Sequence, residues 1–257
     1  MPIPHHCAGF SHHGFFLAFQ ALCPYTASKG DHPMNYMPLA FLSLALASCF
    51  MYVEYKKKFV AAVALKASAS FCFIVFGILS GSLASDSLFA NPIIIGLILG
   101  GIADVLLNLR FVFEKHGKKL FLTGILFFLG GHILYVTALI SRCDSLLPCI
   151  LAGTLLTALV LAWLFSKITV GLTFKIFGIF YIGAIMLMNS IAAGVLLAFP
   201  SSFSVLFFIG ALSFLVSDIV LILNTFGPRQ QQNLRVVNLS LYYVGQLLIA
   251  LSLQLLR

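Results

Sequence analysis

The sequence predicts an all-α protein: a polytopic membrane bundle of eight transmembrane helices. Three observations lead there. The chain has 257 residues, of which 61% are hydrophobic and only 9% charged, whereas soluble domains run near ~45–50% apolar and ~25% charged. The apolar residues gather in runs close to the ~20 residues that cross a ~30 Å hydrocarbon layer as a helix. The connections between runs are short, and their charges alternate. The first observation excludes a water-soluble globule, a disordered chain and a coiled coil. The second excludes a membrane barrel, whose strands are much shorter.

The eight spans read as 36–54, 59–80, 92–109, 120–140, 146–166, 173–197, 203–224 and 235–256. The first two are parted by EYKKK at 54–58, and the third and fourth by RFVFEKHGKK at 110–119. SRCDS at 141–145, FPSS at 199–202 and FGPRQQQN at 226–233 separate later pairs. Loops this short make each helix the antiparallel neighbour of the next. Pro92, Pro148 and Pro200 are expected at span ends. Residues 1–35, with His5, His6, His12 and His13, read as a poorly ordered extension. It is too polar to span and has no basic stretch before its apolar part, so it does not read as a cleaved signal. Residues 36–257 form the transmembrane domain.

The net charge is +8. In a soluble protein this excess would suggest nucleic acid; here it reports topology, because cytoplasmic loops collect Lys and Arg. The loops joining spans 1–2, 3–4, 5–6 and 7–8 hold 11 of the 15 basic residues, the opposite side holds Lys29, Arg142 and Arg257, and Lys66 lies within span 2. Those four loops are therefore expected in the cytoplasm, with both termini on the other side. The six cysteines form no CxxC. Cys143 and Cys149 flank one loop and could pair, but are read as free thiols.

An ionisable side chain at bilayer depth costs about 2.5–3.5 kcal/mol on insertion scales, so such residues usually face a cavity or a partner. Three lie within spans: Lys66, Asp104 and Asp218. At ~1.5 Å per residue they sit ~8–12 Å below the cytoplasmic boundary, with Tyr181 and Tyr242 beside them. His132, Asn189 and Gln246 lie slightly deeper, and Asn108 and Asn224 complete the polar set. Six helices thus bring polar groups to one layer, which implies a pocket opening toward the cytoplasmic leaflet. Gly96, Gly100, Asp104 and Asn108 recur every four residues on one face, as do Asn238, Tyr242 and Gln246. Gly124, Phe128, His132 and Tyr135 share another.

The same spacing suggests a duplication into two parallel four-helix repeats. Asp104 and His132 stand 28 residues apart, and so do Asp218 and Gln246. GxSxG, HExxH, P-loop and GxGxxG motifs are all absent, so hydrolase-triad, zinc-protease and nucleotide readings have no local support.

The stretches GLILGGIAD at 96–104, VLLNLRF at 105–111 and FLTGILFFLGGHILYV at 121–136 resemble the lysoplasmalogenase (YhhN-like) family of membrane proteins. GALSFLVSDIVLILNTF at 210–226, LYYVGQLLIALSL at 241–253 and Lys66 continue the resemblance. It covers residues 37–257, with Ala67 standing where the family usually has proline. The resemblance implies cleavage of the vinyl ether of lysoplasmalogens to a fatty aldehyde and a glycerophospho-alcohol, with Asp104 and Asp218 as the acidic pair.

The chemistry fits on its own terms. A vinyl ether resists base but yields to acid: protonating its β-carbon gives an oxocarbenium ion that water captures. Two neighbouring carboxyls in a low-dielectric pocket cannot both ionise easily, so one keeps a proton and the other stabilises the cation. Asp104 and Asp218 are the expected catalytic pair. Lys66 would hold the phosphate or tune an aspartate. His132, Tyr135, Tyr242 and Gln246 would position water or the glycerol hydroxyl, within a polar lining that includes Asn108, Tyr181 and Asn189. No metal or cofactor is called for. The expected partners are a lysophospholipid and membrane lipid rather than nucleic acid, and the expected location is a bacterial inner membrane. An ion-coupled transporter, an intramembrane aspartyl protease and a non-catalytic lipid-binding protein are the alternatives. Mid-span proline breaks, Gly-x-Gly-Asp and the absence of turnover would be their respective marks.

Overall fold

The computed structural model describes residues 36–256. The N-terminal histidines, and with them the question of a poorly ordered extension, lie outside the described residues. Among the described residues every regular element is helical, and eight helices are long and apolar enough to cross a membrane. They are α1 (Met37–Tyr55), α2 (Phe59–Gly81), α3 (Ser87–Leu109), α4 (Gly117–Ile140), α5 (Leu146–Lys167), α6 (Leu172–Ala198), α7 (Ser202–Phe226) and α8 (Gln232–Ser252). A 3₁₀ turn, Glu114–His116, leads into α4, and another, Leu253–Leu255, ends α8.

The expected spans and the helices coincide in number, order and type. Their ends differ most at α3, which starts at Ser87 rather than 92. Asp86 is the reason: its Oδ1 accepts the Phe89 backbone N–H at 3.1 Å and caps the helix, satisfying one of the donors that a helix start leaves free. Pro92 therefore lies inside α3 instead of at its end, and α3 runs unbroken through it. Pro148 falls in the first turn of α5, where proline is well tolerated, and Pro200 lies between α6 and α7.

Lipid has no water to drive helices together, so close backbone packing and interhelical hydrogen bonds do the work. The two most extensive contacts, α3 with α4 and α7 with α8, form around glycines. A Cβ added to Gly131 would meet the Gly96 carbonyl oxygen at 3.0 Å, and one added to Gly245 would meet that of Gly210 at 2.9 Å. Gly210 and Gly245 follow Gly96 and Gly131 by the same 114 residues that separate Asp218 from Asp104. Hydrogen bonds tie other neighbours. Ser43 Oγ donates to the Ala69 carbonyl at 2.8 Å, joining α1 to α2. Ser190 Oγ donates to Cys149 at 2.7 Å, joining α6 to α5. Asn238 and Ser217 exchange three bonds between α8 and α7. Each such bond is worth about 0.6 kcal/mol on average in membrane bundles.

Helix α8 packs against α1, α2, α3 and α7, and α4 packs against α6. Side chains such as Phe71, Leu88, Leu155, Phe180 and Leu197 point outward as an apolar, lipid-compatible surface. The burial of α8 explains why its polar residues are tolerated: Asn238, Tyr242 and Gln246 all face protein.

Candidate functional site

The polar layer is built from the middles of α2, α3, α4, α6, α7 and α8. Asp104 on α3 is almost completely buried and has three donors. Lys66 Nζ from α2 lies 3.0 Å from its Oδ1, while Ser70 Oγ and the Tyr242 hydroxyl donate to its Oδ2 at 2.6 and 2.7 Å. A charge this deep persists only when paired and hydrogen-bonded, and Asp104 meets both conditions. Lys66 and Ser70 reach one carboxylate because they are four residues apart on one face of α2. Lys66 Nζ also lies 5.4 Å from the Phe50 ring centroid.

Asp218 on α7 is equally buried but differently served. The Tyr181 hydroxyl from α6 donates to its Oδ2 at 2.5 Å. Among the described residues, no cation lies within salt-bridge distance of it. The two acids thus stand in contrasting surroundings, one beside an ammonium and the other beside a phenol.

Gln246 extends the Asp104 network: its Nε2 donates to the Tyr242 oxygen at 3.3 Å, and its Oε1 accepts from the Tyr135 hydroxyl at 3.2 Å. The Tyr242 ring is fixed edge-on by Phe128, Phe214 and Tyr243, with centroids 5.7, 5.3 and 5.1 Å away. His132 Nδ1 donates to the Phe128 carbonyl at 2.7 Å, and its Nε2 is buried without a protein partner.

Both aspartates line one small cavity, together with Lys66, Arg110, Arg235, Asn238 and Tyr242. A second, apolar cleft adjoins it. Leu107, Phe121, Phe128 and Leu221 line both spaces. Phe165, Ile168, Phe174, Ile182 and Phe226 continue the apolar wall. One space is lined by charges and the other is apolar.

Of the residues singled out from sequence, Lys66, Asp104, Asp218 and Tyr242 meet in the polar cavity, and Tyr181 lines the apolar cleft. Tyr135 and Gln246 stand behind Tyr242 and do not line either space. Asn189 ties α6 to α7, its Nδ2 donating to the carbonyls of Ile185 and Ala211 at 2.9 and 3.2 Å. Asn108 is buried, with Oδ1 unpartnered, outside the cavity lining. Asn224 closes the α7–α8 loop by accepting the Gln231 N–H at 2.7 Å. Sequence reasoning overlooked Ser70, whose four-residue spacing from Lys66 was a usable signal. It also read Arg110 and Arg235 only as markers of topology. Arg235 is paired twice with Glu54, at 3.0 and 2.8 Å.

Residues 61–253 match the family model described as the YhhN family. The chain belongs to the YhhN family. No curated protein and no solved structure matches it to add a nearer relative. The family match spans every helix that lines the polar cavity, from α2 to α8 of this YhhN-family chain.

Proposed function

We propose that this protein is a lysoplasmalogenase, a membrane hydrolase that cleaves the vinyl ether bond of alkenyl-glycerophosphoethanolamine or -choline. The observation behind this reading is that two buried aspartates line one cavity, beside an apolar cleft, and only one of them has a cation. Membership of the YhhN family agrees with it.

The asymmetry assigns the roles. Asp104, with Lys66 and two hydroxyl donors, is the carboxylate. Asp218, with a phenol and no cation beside it, is the acid that delivers the proton. The substrate's alkenyl chain lies in the apolar cleft, and its ether reaches between the acids. Asp218 delivers its proton to the β-carbon, leaving an oxocarbenium ion that Asp104 stabilises. Water attacks the α-carbon as Asp104 takes its proton, forming a hemiacetal. Asp104 then returns that proton to the ether oxygen, while the hemiacetal hydroxyl gives its own to Asp218. The carbon–oxygen bond breaks, fatty aldehyde and glycerophospho-alcohol leave, and both acids regain their starting states. General acid–base help of this kind is worth ~10²–10⁴-fold. Tyr242 holds Asp104, Tyr181 holds Asp218, and Gln246 and Tyr135 brace Tyr242. Lys66 tunes Asp104 rather than holding phosphate, because its charge is committed there.

The two acids are read as counterparts in parallel four-helix repeats. The glycine crossings displaced by 114 residues support this, as do the paired contacts of α2 with α3 and α6 with α7. The loop charges suggest that the site opens to the cytoplasm and that both termini face the other side; the host is read as a bacterial inner membrane.

Purified protein supplied with a lysoplasmalogen should release aldehyde, and Asp104→Asn and Asp218→Asn should each lower the rate at least about 100-fold. Full activity in both variants would overturn the acid-pair mechanism. Binding without aldehyde release would favour a carrier or a lipid-binding protein.

A further inference from the structure

Three cations wall the polar cavity, and two are committed: Lys66 to Asp104 at 3.0 Å and Arg235 to Glu54 at 2.8 Å. Arg110 is different. Among the described residues no carboxylate lies within salt-bridge distance of it, and its Nε is buried with no hydrogen-bond partner. An unmet donor on a guanidinium is costly to bury. The side chain is nonetheless held firmly, with Phe111 and Phe121 ring centroids each 4.6 Å from its Cζ. Phe121 is also a wall of the apolar cleft, so the same ring that orients the charge touches the space for a hydrocarbon chain. Burial lowers the Arg110 pKa to about 10, which leaves it cationic at neutral pH.

We propose that Arg110 is the anion anchor of the cavity, binding the phosphate of a single-chain phospholipid whose chain occupies the adjoining cleft. The geometry suits this ligand. Arg110 follows the last residue of α3, and Asp104 lies six residues earlier, about 9 Å deeper along a helix of ~1.5 Å rise per residue. A phosphate held at Arg110 therefore places the glycerol and its ether toward the acids. A guanidinium presents several donors in one plane, which matches the oxygens of a phosphate. With Asp104 and Glu54 already paired, Arg110 is the cavity cation left without a counter-ion among the described residues, which favours the anionic phosphate of a headgroup over a bare cation. This inference rests on the proposed function for the depth at which the ether sits, but the anchor itself needs no catalysis.

The test separates the two. Equilibrium binding to the full chain in nanodiscs is measured by native mass spectrometry with three probes: palmitoyl-lysophosphatidylethanolamine, monopalmitoylglycerol and inorganic phosphate. The phospholipid probe carries an ester and offers no vinyl ether, so the proposed reaction cannot consume it. Arg110→Gln is expected to weaken its binding at least about tenfold, in line with loss of charge-assisted hydrogen bonds, and to leave monopalmitoylglycerol unchanged. Arg110→Lys, which keeps the charge, should retain most of the phospholipid affinity. Equal phospholipid binding by wild type and Arg110→Gln overturns the proposal, as does loss of both lipids alike in Arg110→Lys. Inorganic phosphate binding as tightly as the phospholipid overturns the headgroup assignment. If Arg110 governs binding but no lysoplasmalogen is cleaved, the anchor stands and the reaction falls.

Discussion

Removing Lys66 tests the electrostatic arrangement at the centre of the bundle. Its side chain and that of Asp104 are 4% and 2% exposed and 3.0 Å apart. Breaking a buried pair by deleting one partner typically costs about 3–5 kcal/mol, because the other charge is left uncompensated. In Lys66→Met, Asp104 keeps the hydroxyls of Ser70 and Tyr242, and bonds to a charged group are worth about 1.5–3 kcal/mol each. The expected loss is therefore at the low end, about 3 kcal/mol. Asp104→Asn removes the carboxylate that pairs with Lys66 and leaves that ammonium without an anion within salt-bridge distance among the described residues, and a similar loss is expected. The double variant, Lys66→Met with Asp104→Asn, contains neither charge and should lie within about 1–2 kcal/mol of wild type, since a buried pair adds little net stability over neutral residues of similar volume. Unfolding in mixed micelles at fixed detergent fraction measures all four proteins, and aldehyde release is followed in parallel. Stability should return in the double variant while activity does not. Single losses that merely add in the double variant would refute the ion pair as the organising contact.

Other consequences are smaller in scope. Gly210→Ala would set a Cβ 2.9 Å from the Gly245 carbonyl and 3.1 Å from the Ile249 nitrogen, both backbone atoms that cannot swing aside; a loss of about 1–3 kcal/mol is expected in the same unfolding assay. Gly178→Ala, with nothing within 4 Å of the new Cβ, should be close to neutral. Cys143 and Cys149 are free thiols with their sulfurs 3.8 Å apart; a mild thiol oxidant should join them within one chain, read as a 2 Da mass decrease and loss of alkylation at both. Asp86 is held below the usual aspartate range by the Phe89 N–H and by Arg142. Its folded pKa is depressed, so its contribution is present above the ordinary value of about 4 and fades as pH falls below it. Asp86→Asn should flatten the acid limb of the stability profile, and an unchanged profile would count against the cap.

The eight helices were legible because hydropathy in a membrane protein is a direct physical requirement: the hydrocarbon layer accepts only long apolar helices here. The shared depth of Lys66, Asp104, Asp218, Tyr181 and Tyr242 was legible too, since helix rise converts residue count into depth. The start of α3 was misread because Pro92 outweighed Asp86 as a boundary signal, although the cap acts earlier in the chain. Arg110 was hidden in plain view. Charge counting assigns it to a loop, and only the ring stacking on Phe111 and Phe121 turns it into the cavity.

Composition and order alone determined that the chain would form a membrane bundle and that its costly polar groups would share one depth, because both follow from the energetics of a single helix in lipid. Which donor serves which acid depended on helix rotation about each axis, set by the glycine crossings of α3 on α4 and α7 on α8. Only that packing gave Asp104 an ammonium and Asp218 a phenol, and so distinguished two side chains that are chemically identical in the sequence.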